Sequence, residues 1–287
     1  MKTRLIVLLT TAYLFTLLFC TVSLAQQNEK DKNAIIETAK NYSEGGYAAD
    51  ADRMQKALWP ELYKAIPVTI PKTEITMLAT TCYSQLIEGV RMAKTDNSDK
   101  KINISVEAIN EGMASVKITS TQFNDFLQMA FLNGEWKIIN VLWTYGAESP
   151  RRDKSLVFDP EKEKGAIEQA ALDYIEGYFE GNADRMTKAV HPEVNKVTFR
   201  SDPKSGRGFF SQMSSSMLIG FTAAAPKTGL MDKEKWKISV KILNIMDGLA
   251  SVEVISSQYF DYLHLAKING QWKIINVLWK LNPKQGK

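Results

Sequence analysis

Two carboxylates occupy positions where apolar residues are the rule. From Tyr259 to Lys267, one set of alternating residues reads Tyr259, Asp261, Leu263, Leu265 and the other Phe260, Tyr262, His264, Ala266. An earlier segment gives Phe123, Asp125, Leu127, Met129 against Asn124, Phe126, Gln128, Ala130. Successive strand residues point to opposite faces, so Asp125 and Asp261 are each expected on the consistently apolar side of a sheet. A carboxylate there loses hydration, and its pKa tends upward unless donors surround it. Such a group suits general acid or base work. The plainer alternative is a structural Asp that accepts hydrogen bonds from a helix tyrosine or from backbone at a strand bend, because buried polar groups usually find partners.

Other side chains offer a supporting cast. His191 precedes Pro192 at the end of a short helical segment. Its imidazole could exchange protons near neutral pH or simply cap helix carbonyls. Tyr174 and Tyr178 fall on the apolar stripe of a helix, where they serve either a ligand carbonyl or the core with hydroxyls at its rim. Arg200 and Lys196 bring positive charge to the same region, either to favour an anionic ligand or as solvated strand-edge charges. An enzyme would use Asp261 with His191 or Tyr178 as acid and base. A binding site would use Tyr174, Tyr178 and Arg200, with Asp125 in the other copy. His264 falls on the opposite strand face, outside such a pocket. Trp143 and Trp279 are read as core or domain-contact aromatics. The chain has two histidines, and Cys82 is remote from both in sequence, which argues against a His and Cys zinc site. No Gly-x-Ser-x-Gly elbow, phosphate loop or dinucleotide fingerprint occurs. ATP, NAD and serine-hydrolase chemistry are set aside, and no cofactor or metal is expected.

The elements that must position these residues come in two copies. Ala34-Ile35 through Asp52-Arg53-Met54, Lys56-Ala57 and Pro60-Glu61 returns as Ala166-Ile167 through Asp184-Arg185-Met186, Lys188-Ala189 and Pro192-Glu193. The run from Asn133 to Trp143 returns from Asn269 to Trp279 with a single change, Glu135 to Gln271. Units of this length indicate a duplicated domain; a solenoid would need shorter and more numerous repeats. The boundaries read as 31–144 and 165–283, joined by a charged linker at 145–164 that carries Pro150 and Pro160. The second copy carries a small insertion in its middle. Ile167, Ala170, Ala171, Tyr174 and Tyr178 recur at helical spacing. Gly181 stops that helix, and Asn182 can cap a second one running to about His191. A strand follows near Glu193 to Arg200, and Phe209 to Phe221 reads as a third helix. Trp236 to Ile245, Ala250 to Lys267 with one bend, and Trp272 to Leu281 read as strands. Asp247-Gly248 and Asn269-Gly270 turn between them, a strong hairpin signal. Helices first and an antiparallel meander afterwards is an α+β pattern.

The matched positions already differ between the copies. Tyr42 answers Tyr174 and Lys64 answers Lys196, whereas Gly46 stands for Tyr178, Trp59 for His191 and Val68 for Arg200. Any site is therefore expected in the second copy.

The chain of 287 residues begins with Met1-Lys2-Thr3-Arg4, an apolar run from Leu5 to Phe19, and Ser23-Leu24-Ala25. This has the three parts of a secretory signal peptide over residues 1–25, shorter than the roughly 20 apolar residues of a membrane span. The protein is expected to be exported, to a periplasm or outside the cell. The alternative, a lipoprotein anchored at Cys20, is weakened by bulky Phe19 before it. Cys82 is then left alone, with no intrachain disulfide open to it, and is expected to be a small buried residue. The formal charge of +4 is dispersed, without the interleaved basic and aromatic run that nucleic-acid binding would favour.

Tyr-Ile-Glu-Gly-Tyr at 174–178, Ala-Asp-Arg-Met at 183–186, His191-Pro192, Asp261-Tyr262-Leu263 and Asn-Gly-Gln-Trp-Lys-Ile-Ile-Asn at 269–276 resemble the lumazine-binding group of the nuclear transport factor 2-like, or SnoaL-like, superfamily. The resemblance covers essentially all of the second copy and, more loosely, the first. It implies two cone-shaped domains, each a curved antiparallel sheet wrapped by helices, with a pocket at the wide end. The same superfamily includes isomerases, cyclases, dehydratases and binding modules, so fold does not fix function. Three roles follow: a module binding a small apolar or aromatic molecule, an acid/base enzyme of the isomerase, cyclase or dehydratase type, or a structural unit in which the two copies form an intrachain pseudo-dimer.

Overall fold

The computed structural model describes residues 26–96, 98–153, 158–202, 204–205, 207–225 and 232–283. The expected signal peptide lies outside these residues, as does the 154–157 part of the expected linker. The first domain begins with helix α1 over 26–47. There follow α2 (Ala51–Ala57), β1 (Leu58–Thr69), β2 (Thr76–Cys82), α3 (Tyr83–Met92), β3 (Asn103–Asn110), β4 (Met113–Thr119), β5 (Phe123–Leu132) and β6 (Glu135–Tyr145). The second repeats this order with α4 (Pro160–Glu180), α5 (Ala183–Ala189), β7 (Val190–Ser201), β8 (Gly208–Met213), α6 (Ser215–Ala224), β9 (Ser239–Met246), β10 (Leu249–Ile255), β11 (Tyr259–Ile268) and β12 (Gln271–Leu281). The insertion falls between α6 and β9.

Each domain is one six-stranded sheet, in the order β2-β1-β6-β5-β4-β3 and β8-β7-β12-β11-β10-β9. The architecture is α+β in two tandem domains. The expected antiparallel pairing holds except between β1 and β6 and between β7 and β12, which run parallel. A parallel pair needs a long crossover, here the whole run of intervening elements. The 209–221 segment is not one helix: β8 takes its first part and α6 its second, with Ser214 capping α6 through its side chain to Met217 N. The second helix also stops early, at Ala189, and His191 belongs to β7.

Local chemistry explains the boundaries. Asp159 caps α4, with Pro160 at its first turn, and Gly181 ends it at φ +68°, the left-handed region that glycine enters without penalty. Asn269 and Gly270 both take positive φ, as a two-residue hairpin turn requires. On one face of the second sheet, Val252, Leu263, Leu265 and Val277 pack against Ile167, Ala171, Tyr174 and Ile175 of α4. Each valine, leucine or isoleucine among them is worth about 1.5–3 kcal/mol when fully buried. On the other face the two sheets meet back to back. Phe126 and Leu142 of one pack with Ala266 and Ile275 of the other, and Ile139 packs with Val197, Tyr262 and Leu278. Among the described residues no helix is long and apolar enough to cross a membrane.

Candidate functional site

The Asp-bearing face of each sheet turns toward the helices. In the second domain, α4 supplies Tyr174, β7 Lys196, β11 Asp261 and β12 Trp279. Tyr174 Oη donates to Asp261 Oδ1 at 2.8 Å. Lys196 Nζ donates to Tyr174 Oη at 2.5 Å and to Asp261 Oδ1 at 3.3 Å. The ammonium also lies 4.6 Å from the centre of the Trp279 ring, where the face of an aromatic attracts a cation. The first domain builds the same quartet: Tyr42 Oη to Asp125 Oδ1 at 2.9 Å, Lys64 Nζ to Tyr42 Oη at 2.6 Å and to Asp125 Oδ1 at 3.0 Å, and Lys64 4.7 Å from Trp143.

Lys196 and Asp261 are 6% and 2% exposed, so neither is the solvated edge charge or the free carboxylate that their sequence surroundings allowed. Burial lowers the Lys196 pKa, against the pull of Asp261. It raises that of Asp261, against Lys196 and the hydrogen bonds it accepts. Tyr174 is held well above the ordinary phenol value by burial and then by the adjacent carboxylate. Loss of hydration thus pushes both members of the pair toward neutrality, while their attraction favours the charged form. Asp261 Oδ2 is buried without a hydrogen-bond partner among the described residues.

Lys196 and Tyr174 form part of the wall of a cavity of about 160 Å³. Tyr178, Tyr259, Trp279, Met213 and, from α6, Leu218 and Phe221 make most of the rest. Tyr259 Oη donates to Tyr178 Oη at 3.2 Å. The lining is largely apolar, with polar groups from Lys196, Tyr174, Tyr178 and Tyr259. An ammonium has three donors; two point to Tyr174 and Asp261, and the third has no acceptor among the described residues.

Of the residues singled out from sequence, Tyr174 and Tyr178 line this cavity and Asp261 stands behind Tyr174 and Lys196. Arg200 is exposed and not part of the lining, because four strand residues carry it roughly 13 Å past Lys196. His191 lines a separate surface pocket with Ser215, Asn269 and Lys273, and its Nδ1 accepts from Glu193 N at 3.1 Å. It therefore does not converge with Asp261. Asp125 sits in the first domain's quartet. His264 is wholly buried between the sheets, away from the cavity. Cys82 is exposed rather than buried, since it caps α3 at the end of an edge strand. Trp279, read as packing, and Lys196, read as an edge charge, are the functional candidates that sequence reasoning passed over. Their signal was the exact repetition of Tyr, Lys, Asp and Trp in both copies. Among the described residues no three His, Cys, Asp or Glu side chains group as a metal site would need.

A curved sheet whose helix-covered face holds a cavity is the architecture of nuclear transport factor 2-like, cystatin-like proteins. The chain belongs to the family described as "Putative lumazine-binding", which matches residues 30–144 and 162–280. Comparison with curated proteins finds no match. Similar solved structures include a nuclear transport factor 2-like protein of unknown function from Silicibacter pomeroyi, 15% identical over 41% of this chain and 98% of that one, TM-score 0.36. Another, from Shewanella baltica, is 19% identical over 40% of this chain and 94% of that one, TM-score 0.34. A protein of unknown function with a cystatin-like fold from Nostoc punctiforme is 14% identical over 44% and 95%, TM-score 0.31.

Proposed function

We propose that the protein is an exported small-molecule-binding module whose second domain takes a compact, largely apolar ring compound and presents Lys196 to an acceptor oxygen on it. The observation that carries this reading is the aromatic-walled cavity with a buried, incompletely bonded ammonium on its wall. Pockets of this composition, mostly apolar with a few convergent polar groups, are the usual form of a ligand site. The cavity is close in volume to the ~150 Å³ that accommodates benzene in an engineered protein core, so a single ring enters without rearrangement. Two fused rings, as in lumazine, would require Leu218 or Phe221 to give way.

The first domain supports the assignment by contrast. It keeps the quartet but has Gly46, Thr81 and Gly89 where the second has Tyr178, Met213 and Phe221, and a side chain at Gly89 would meet nothing within 4 Å. The quartet then serves structure in both domains and recognition in one. The acid/base alternative with Asp261 and His191 loses support because those groups do not share a cavity. Export rests on the N-terminal sequence alone. The back-to-back sheets, bonded from Gln128 Nε2 to Tyr262 O at 2.7 Å and from Asn195 Nδ2 to Asn140 Oδ1 at 2.8 Å, support an intrachain pseudo-dimer as scaffold.

Native mass spectrometry of protein purified from its own host, followed by calorimetric titration with benzyl alcohol and with lumazine, tests the reading. A bound ring compound is expected, weakened about tenfold or more by Ala224→Trp, which fills the cavity. No bound species and no heat with either probe would overturn it. So would loss of binding in Asp125→Asn with Asp261→Asn unaffected, since that places the site in the wrong domain.

A further inference from the structure

We propose that Lys196 is a carbonyl-reactive amine, whose Nζ forms an imine with a small apolar aldehyde or ketone held in the second-domain cavity. This deepens the binding reading and rests on it. Three observations lead there. Lys196 lines a largely apolar cavity and is buried rather than in solvent. An acceptor for its proton, Asp261 Oδ1, stands 3.3 Å away, and a hydroxyl that can pass a proton, Tyr174 Oη, stands at 2.5 Å. Asp261 Oδ2 is buried and has no hydrogen-bond partner among the described residues, a position that suits a neutral carboxyl better than an anion.

The step balances without a further reagent. A proton moves from Nζ to the Asp261 carboxylate, leaving a neutral amine. The nitrogen lone pair attacks the carbonyl carbon, and the carbonyl oxygen takes a proton relayed through Tyr174. Loss of that oxygen as water, with the second nitrogen proton, leaves a carbon–nitrogen double bond. One carbonyl and one amine are consumed, one imine and one water are formed, and nothing is oxidised or reduced. Desolvated lysines in apolar pockets are the ones that do this chemistry. An aromatic-walled cavity of one-ring size selects a compound such as an aryl or short branched aldehyde over a charged keto acid, because Asp261 already balances the ammonium.

Lys64 is an internal control. It has the same partners but Gly46, Thr81 and Gly89 where Tyr178, Met213 and Phe221 wall the pocket around Lys196. The experiment uses the full mature chain with benzaldehyde and cyanoborohydride at neutral pH, and peptide mapping of the benzylated lysines. Labelling of Lys196 is expected at least roughly tenfold faster than of exposed lysines, because burial lowers its amine pKa and each unit of lowering gives about ten times more free amine. It is also expected to be faster than that of Lys64, whose pKa burial lowers in the same way, because Lys64 lacks the second-domain cavity that holds the aldehyde. Benzyl alcohol in excess should slow it, and Lys196→Met should remove it; because that variant could unfold, the map of the wild-type protein decides. Labels on exposed lysines with Lys196 untouched overturn the inference. If benzyl alcohol still binds in that case, the binding reading stands without the imine. If benzyl alcohol does not bind either, both fall.

Discussion

Lys196 carries an ammonium into a region with little water, and the cost of that position determines what its neighbours must do. A buried ion pair adds little over a well-packed apolar pair, whereas removing one partner leaves an uncompensated charge and costs about 3–5 kcal/mol. Asp261→Asn is therefore expected to lower unfolding stability by roughly 3 kcal/mol in urea, and Lys196→Met combined with it should recover at least half of the loss. Equal losses in the single and the double variant would show that the two side chains are not coupled. The quartet was only partly legible in the sequence. Strand alternation put Asp261 on the apolar face, and a helix tyrosine was a foreseen partner. The lysine was misread because its partners are 22 and 65 positions away, and the surrounding Val194 to Phe199 are all buried, without an alternation that marks which side chains face the helices.

At the scale of elements, the duplication gives a paired experiment on one turn. The first helix of each domain ends in a left-handed residue before the cap of the next helix: Gly181 at φ +68° before Asn182, and Ala49 at φ +55° before Asp50. The caps match, Asn182 accepting from Arg185 N and Asp50 from Arg53 N. A Cβ in this conformation is strained and glycine is not. Ala49→Gly should raise stability by about 0.5–1 kcal/mol and Gly181→Ala should lower it by about 1 kcal/mol, read as shifts of opposite sign in melting temperature. Shifts of the same sign would mean that the turn's conformation does not control the outcome. Turns of this kind were readable in advance: Asp247-Gly248 and Asn269-Gly270 both close hairpins where the residues demand positive φ. What could not be read was pairing. Nothing local in Val190 to Ser201 specifies that it lies parallel to β12, because a ladder between distant strands is fixed by how both cover the core. The β8–α6 boundary was also hidden, since Phe209 to Phe221 is apolar enough for either state and only the Ser214 cap divides it.

Across the whole molecule, the seam between the sheets is held by a chain of side-chain amides. Gln212 Nε2 donates to Asn195, Asn195 Nδ2 to Asn140, Asn140 Nδ2 to Gln128 Oε1, and Gln128 Nε2 to the Tyr262 carbonyl. The pseudo-equivalent half is incomplete. His264 takes the place of Gln128 and accepts from Asn276 Nδ2 through Nδ1 at 3.2 Å, and its buried Nε2 has no partner among the described residues. Burial alone pushes the His264 pKa down to about 3. An unfolded histidine titrates near 6.5, so between these values the unfolded chain binds a proton that the folded chain refuses. Stability is then unaffected above about 6.5 and falls as the pH drops through the window, by roughly 2–3 kcal/mol at pH 4.5. His264→Gln removes this titration. It also introduces the residue that the other half uses at this position, where Gln128 accepts from Asn140 and donates to the Tyr262 carbonyl. The variant should match or exceed the wild type at pH 7 and exceed it by about that amount at pH 4.5, measured by urea unfolding at each pH. A difference between the two proteins that did not grow on acidification would mean that His264 is protonated at the seam, and that the domains separate or admit water there before the molecule unfolds.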